Sequence, residues 1–254
     1  MVRIYGGKPI RAAVVHGGPG DIGGLACVAR ELGKTVGVAE PLQSRHTVEG
    51  LAEELREQLL GLGGGPVALL GHSWGAWLAI LLAARCPELV EQLILVGCGP
   101  LKEAYVPQIG ARRMDNLPPE ERGAFSRLLA RVAKTGQGME ELGRLVGLSD
   151  NVDPLPADRE KDDPVDGEMY QKVWPEAAEL RRSGALLEAC ARLRCPITLL
   201  HGTRDPHPLE GVTEPLAELG VAFHAVPFPD CGHSPFQERA GRERFYQIVL
   251  NLLK

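Results

Sequence analysis

Residues 67–75 read VALLGHSWG, and residues 76–84 continue AWLAILLAA. The run 67–70 is wholly apolar, as expected of a strand covered on both faces of a parallel sheet. A turn follows, Gly71-His72-Ser73-Trp74-Gly75, and then an apolar helix over 74–84. Nucleophilic acyl transfer needs a hydroxyl exposed at such a tight strand-to-helix turn. Small residues two before and two after the serine let strand and helix approach closely. The helix N-terminus then faces the negative charge that develops in the reaction. In a chain with 31 glycines the pentapeptide alone can arise by chance. Its position at a strand–helix junction is what selects Ser73 as nucleophile. The competing role for Ser73 is an ordinary helix N-cap.

Outward from this turn, β-rich runs alternate with helical segments. Strands are predicted at 12–16, 36–39, 67–70, 93–96, 197–201 and 221–226. Helices are predicted at 24–32, 47–60, 74–84, 210–219 and 241–253. This alternation with short loops predicts an α/β fold with a mostly parallel sheet flanked by helices. The pattern breaks over 102–192, where strands vanish and charge rises. Helices are expected there at 119–134, at 139–148 and from 169 to 182. The predicted organisation is therefore a core of 1–101 and 193–254 carrying a 102–192 insertion. Its helices need the core, or each other, to bury Phe125, Leu128, Leu129, Tyr170 and Trp174. The polar stretch 151–168 reads as a solvated linker or as part of a lid.

A serine hydroxyl needs an imidazole to take its proton. His233 lies in PFPDCGHSPF (227–236), a late loop between the last strand and the terminal helix, from which an imidazole can reach the nucleophile. Asp205 follows the strand 197–201 in HGTRDPH (201–207), at the sheet edge where loops converge. The chain order Ser…Asp…His fits this architecture. Asp230 competes with Asp205, but it sits in the same short loop as His233. Each of the two aspartates also has a simple turn role. The strand 12–16 ends in His16-Gly17-Gly18-Pro19-Gly20, whose glycines let main-chain N–H groups face a site unobstructed. An N–H of Gly17 or Gly18, joined by that of Trp74, is the expected oxyanion site. The loop lacks the lysine of a nucleotide loop and is not GxGxxG, so no cofactor is expected.

Composition narrows the partners. There are 28 Lys and Arg against 33 Asp and Glu, for a net charge of -5, and the basic residues are scattered. A nucleic-acid partner is not expected. No apolar run reaches the ~18 residues of a membrane span, and MVRIYGGKPI lacks the features of an export signal. Six cysteines without a CxxC pair read as reduced thiols in a cytoplasmic protein and argue against a zinc site. Oligomeric state is left open.

HGGPG at 16–20, GHSWG at 71–75, GTRDP at 202–206 and GHSPF at 232–236 together resemble the α/β-hydrolase family, and within it the proline iminopeptidase-like branch. The resemblance covers about 10–100 and 194 to the end. It implies an eight-stranded sheet with a small helical cap inserted after the sixth family strand. It further implies Ser73 as nucleophile, Asp205 as acid, His233 as base, and Gly18 with Trp74 as oxyanion donors. The peptidase branch holds a free amine with cap carboxylates, which points to Glu168 and Glu176 around Tyr170 and Trp174. Solvated helix carboxylates are the simpler reading of both acids. Residues 40–47 read EPLQSRHT where the branch has an aspartate-arginine-glycine turn, and the insertion is short for a peptidase cap. The expected activity is therefore metal-free serine hydrolysis of a small carboxylic ester or related acyl compound. An aminopeptidase acting on the free N-terminus of a short peptide is the alternative.

Overall fold

The apolar runs become the centre of a seven-stranded sheet. In the computed structural model, which describes residues 1–63, 65–135, 137–156 and 165–254, the strands are β1 (Val2–Tyr5), β2 (Ile10–Val15), β3 (Gly37–Pro41), β4 (Val67–His72), β5 (Val90–Val96), β6 (Ile197–Gly202) and β7 (His224–Phe228). Their order across the sheet is β1-β3-β2-β4-β5-β6-β7. β1 pairs antiparallel with β3, and the other neighbours are parallel. From β2 the chain goes to one edge, and from β4 it goes to the other. The order thus reverses between β2 and β4, and ligands of open α/β sheets bind in the crevice beyond the strand ends at such a reversal. The HGGPG and GHSWG turns follow β2 and β4.

Among the described residues ten helices cover the sheet and its C-terminal edge: α1 (Ala26–Leu32), α2 (Val48–Leu60), α3 (Trp74–Arg85), α4 (Val106–Asn116), α5 (Pro119–Thr135), α6 (Met139–Asp150), α7 (Gly167–Ser183), α8 (Ala185–Ala191), α9 (Glu210–Glu218) and α10 (Arg242–Leu252). Strand side chains alternate between two cores, as the pleat requires. Ala13, Val15, Leu69, Leu93, Leu95 and Leu199 pack with α2, α3, α7, α8 and α9. Ala12, Val14, Leu70, Ile94, Val96 and Leu200 pack with α1 and α10. Burying each larger aliphatic side chain contributes roughly 1.5–3 kcal/mol, so this two-sided burial fixes strand register. A slip of one residue would exchange the two faces.

Helices α4 to α8 lie between β5 and β6. Phe125, Leu128, Leu117 and Leu145 form a small core among α4, α5 and α6, while Leu129 is exposed. On α7, Met169, Val173 and Ala177 recur every fourth residue and bury against the main core. The insertion therefore uses both routes to burial.

Several local expectations shift. The sheet has seven described strands where the resemblance implied eight. The strand expected over 221–226 begins at His224, because the Val221 N–H donates to the Leu216 carbonyl and closes the turn after α9, with Gly220 at φ 68°. α4 has no counterpart among the predicted helices: it carries Pro107 in its first turn and Gly110 at its middle, and none of its residues is fully buried. α8 has none either, because it is only seven residues long, and it is set off from α7 by Gly184 at φ 87°. The linker reading of 157–164 lies outside the described residues.

The two motif glycines are required sterically. A Cβ on Gly71 would sit 2.3 Å from the Gly75 carbonyl oxygen, and one on Gly75 would sit 2.2 Å from that of Val15. Both obstacles are backbone, which cannot step aside. Gly75→Ala is expected to cost about 3 kcal/mol, at the upper end of ordinary overpacking. Urea unfolding checks this, and an unchanged midpoint would contradict so close a contact between α3 and β2.

Candidate active site

Ser73 links β4 to α3 with φ 55° and ψ -117°, a conformation that L-residues rarely hold. Its N–H donates to the Val96 carbonyl at 2.9 Å, which pins the turn to the neighbouring strand. Its hydroxyl makes no capping bond to α3, so the N-cap role considered from sequence is not taken up. Strain at a serine held clear of its own helix is the geometry of a nucleophile turn.

The glycine loop after β2 lies against this turn. A Cβ on Gly17 would stand 3.2 Å from the Ser73 Cβ and 2.9 Å from His72 Nδ1. Gly18 has φ 30° and Gly20 has φ 96°. Gly20 also touches the start of α7: its carbonyl accepts from the Asp166 N–H at 2.8 Å. The main chain of Gly17 therefore approaches the serine, which itself leads into the first N–H groups of α3.

His233 and Asp205 meet as a buried pair, with His233 Nδ1 2.9 Å from Asp205 Oδ2. A carboxylate only accepts, so Nδ1 carries the proton and the Nε2 lone pair is available as a base. The His233 ring lies 4.8 Å from that of His72, the residue before Ser73. His233 also rests on Gly97, just after β5, where a Cβ would come within 2.9 Å of Nδ1. Asp230 instead occupies an exposed turn at φ 54°, with its N–H donating to Thr203 Oγ1. The aspartate beside the imidazole is Asp205.

Asp205 carries more than one imidazole, which the sequence pattern alone does not indicate. His207 donates to Oδ1 from its main-chain N–H and from Nδ1, both at 2.9 Å. His201 Nε2 lies 3.3 Å from Oδ2 and donates to the His207 carbonyl at 2.8 Å. The signal available was the spacing Asp205-Pro206-His207, in which an Asx-type turn brings residue i+2 back to the carboxylate. Asp205, His207 and His233 present ligand atoms all within 4.8 Å of one another. They are the residues among those described that could gather a metal ion, although both Nδ1 atoms and both Asp205 oxygens already serve hydrogen bonds.

Charge follows the same geometry. Burial acts to raise Asp205, but the adjoining His233, His201 and His207 hold its carboxyl well below the usual range. Burial acts to lower His233, and the Asp205 charge and hydrogen bond overcome it, leaving His233 above an ordinary histidine. Burial, then the charge on His233, lowers His207. His72 is pushed down to about 3, first by burial and then by His233, so it stays neutral and donates from Nε2 to the His233 carbonyl at 3.2 Å.

The insertion grips the histidine loop. The His233 N–H donates to the Asp150 carbonyl at 2.6 Å, at the end of α6. Arg113 of α4 holds the Asp150 carboxylate with Nε and Nη2, both at 2.7 Å. The buried Glu238 accepts from the N–H groups of Gly232, Val152 and Asp153 at 2.9, 3.0 and 2.8 Å. The Arg113–Asp150 and Val152–Glu238 partners are 37 and 86 residues apart in the chain, and no local pattern announces them.

The expected cap residues divide. Tyr170 and Trp174 stack in series on Trp77, with centroids 6.1 Å apart at each step. Glu176 accepts the Val48 N–H at 2.8 Å and so caps α2. Glu168 is exposed and bonds Lys172 at 2.6 Å. Neither carboxylate is brought to the Ser73 turn by a described contact.

Comparison with known proteins bears on the family and the fold. Residues 15–244 match the model of a family described as "Alpha/beta hydrolase family". A pimeloyl-[acyl-carrier protein] methyl ester esterase of Chromobacterium violaceum is 30% identical over 179 residues, which is 67% of this chain and 64% of the relative. An uncharacterized protein of Mycobacterium tuberculosis is 26% identical over 230 residues, covering 84% and 63%. The matched region thus spans slightly less than two thirds of these relatives. Among solved structures, VinJ superposes with a TM-score of 0.73 at 20% identity, over 99% of this chain and 93% of that one. A proline iminopeptidase of Mycobacterium smegmatis gives 0.66 at 19%, over 99% and 93%. At those identities the likeness is one of fold. No described helix is long and apolar enough to cross a membrane.

Proposed function

The chain belongs to the alpha/beta hydrolase family, and from that premise we propose that it is a serine hydrolase of a small carboxylic ester or related acyl compound, with Ser73, His233 and Asp205 as its triad. The observation that carries this reading is the buried His233–Asp205 pair at 2.9 Å, its ring 4.8 Å from that of His72, the residue before the strained Ser73. His233 Nε2 takes the Ser73 proton as Oγ attacks the carbonyl carbon. The N–H groups of Gly17 or Gly18 and of Trp74 stabilise the oxyanion. The imidazolium returns its proton to the leaving oxygen as the C–O bond breaks, which leaves an acyl-enzyme. Water, deprotonated by the same Nε2, then releases the acid and restores Ser73. Tyr170 and Trp174 offer an apolar wall to the acyl group, and the six thiols stay reduced in a cytoplasmic setting.

An ester is favoured over a peptide on two grounds. The C. violaceum relative is named for methyl ester cleavage. The Glu176 carboxylate, a candidate for amine recognition, is already engaged with Val48. The aminopeptidase reading rests on the HGGPG and GHSWG motifs, and one panel tests both. Turnover of 4-nitrophenyl butyrate is expected to exceed that of alanyl and prolyl 4-nitroanilides by at least about 100-fold in kcat/KM, some 2.7 kcal/mol in barrier. A preference for the free-amine anilides would transfer the chain to the peptidase branch. A fluorophosphonate that labels no serine at residue 73 would remove the serine-hydrolase reading altogether.

A further inference from the structure

We propose that His207 is a positioning residue for the triad: its neutral imidazole ties down one oxygen of Asp205 so that the other is held toward His233. The inference rests on the serine-hydrolase reading and adds to it a residue that acts through Asp205.

The observation is a division of labour within one carboxylate. Oδ1 accepts the main-chain and Nδ1 protons of His207, both at 2.9 Å, while Oδ2 accepts from His233 Nδ1 at 2.9 Å. A carboxylate bonded through one oxygen alone can rotate about its Cβ–Cγ bond. Bonds on both oxygens, in different directions, stop that rotation. Pro206 restricts the chain between the two residues, and His201 Nε2 holds the His207 carbonyl at 2.8 Å. The His207 ring also stacks on that of His233, with centroids 4.4 Å apart and planes 30° apart.

Charge decides why the donor must be neutral. The charged and titratable groups around His207 are Asp205, His201 and His233, with His72 beyond His233 and Arg113 reaching in from α4. An imidazolium at His207 would compete with His233 for the Asp205 charge and repel the cation formed on His233 in the transition state. Burial and the neighbouring His233 keep His207 below an ordinary histidine, so it donates without carrying charge. Removing its Nδ1–H leaves more of the Asp205 charge to His233, which raises His233 further. It also leaves Oδ1 with the main-chain N–H of His207 alone, which loosens the hold on the carboxylate.

The test measures pH profiles of kcat and KM on 4-nitrophenyl butyrate for wild type, His207→Phe, His207→Ala and His207→Asn. Phe keeps a stacked ring without a donor, Ala removes both, and Asn puts an amide N–H where Nδ1 stood. The expected result is a 10- to 100-fold fall in kcat for Phe and Ala, the scale of a misplacement near ~1 Å, with KM within about threefold. The acid limb of both should move to higher pH. Asn should recover kcat to within about fivefold of wild type and return the limb. Wild-type kcat and an unmoved limb in either donor-less variant overturn the proposal. So does an Asn variant that behaves like Phe, since ring packing would then be the whole effect. Should Phe fail to fold, His207→Ala decides between the outcomes. Fluorophosphonate labelling at Ser73, run alongside, separates the two ideas: unlabelled wild type sinks the serine-hydrolase reading, whereas labelled wild type with indifferent His207 variants sinks this one alone.

Discussion

Ser73→Ala is expected to lower kcat on the best ester by about 10⁶-fold while leaving the fold intact. The variant keeps the Cβ that packs against Gly17 and keeps the backbone at φ 55°. It loses only a hydroxyl that makes no capping bond to α3, so stability should change by less than about 0.5 kcal/mol. The oxyanion donors and the substrate pocket survive, and a residual rate above the uncatalysed one should remain. Ser73→Gly sharpens the comparison. Glycine tolerates positive φ without the clash that a Cβ meets, so relief of strain should raise stability by about 1 kcal/mol. A variant more stable than wild type and equally inactive would separate the chemical role of the side chain from its structural one. Steady-state kinetics and urea unfolding on the same preparations check both halves. A Ser73→Ala enzyme within about 100-fold of wild-type kcat, free of contaminating hydrolase by active-site titration, would end Ser73's candidacy as nucleophile.

Where sequence and structure agree, the reason is local. The apolar run 67–70 and the helix from Trp74 are dictated by side-chain periodicity and by the steric need for Gly71 and Gly75, all within a few residues of one another. The meeting of Asp205 with His233 could be anticipated because both follow strands whose C-terminal ends must converge on one sheet edge. The features that sequence does not reveal have a different origin. The Arg113–Asp150 pair and the Glu238 cradle join segments through folding of the insertion, and a single Arg or Glu on a charged helix looks the same whether it is solvated or engaged. Glu176 illustrates the converse. Its placement near Trp174 suggested substrate recognition, yet its carboxylate caps a helix 128 residues away in sequence. His207 falls between these cases. Its spacing from Asp205 is visible in the sequence, but only the direction of the two rings distinguishes a turn from a carboxylate shared by three imidazoles.

Asp205→Asn is expected to lower kcat on the order of 10⁴-fold with little change in KM, because the lost interaction is strongest when His233 is cationic. An amide is nearly the same shape as the carboxylate but carries no charge. It can also present N–H to Nδ1, which favours the tautomer with the proton on Nε2, where the base is needed. Three imidazoles, His201, His207 and His233, lose their common anion at once. The direction of the pH effect follows from His233. Its neutral form is the base, and the Asp205 charge holds it above the ordinary value of 6.5 against the opposing effect of burial. Wild-type activity should therefore fall away on the acid side at a pH above 6.5. In the variant burial is opposed only by the smaller effect of Asp150, so the limb of the residual activity should move to lower pH. Stability depends on pH through the same two groups. The depressed Asp205 carboxyl stabilises the fold above its unfolded value near 3.8, a contribution lost as pH falls through the folded value. The raised His233 stabilises it below 6.5, a contribution lost as pH rises through its folded value. In Asp205→Asn the carboxyl contribution is gone and that of His233 changes sign, so its unfolding midpoint should no longer fall as pH rises above 6.5. A kcat within about tenfold of wild type would transfer the acid role to another carboxylate. The one to examine is Asp150, whose charge also reaches His233, rather than Asp230 in its exposed turn. Asp150 is already held by both nitrogens of the Arg113 fork. Taking over would require that pair to break, and a double variant with Arg113→Met would then regain or lose activity accordingly.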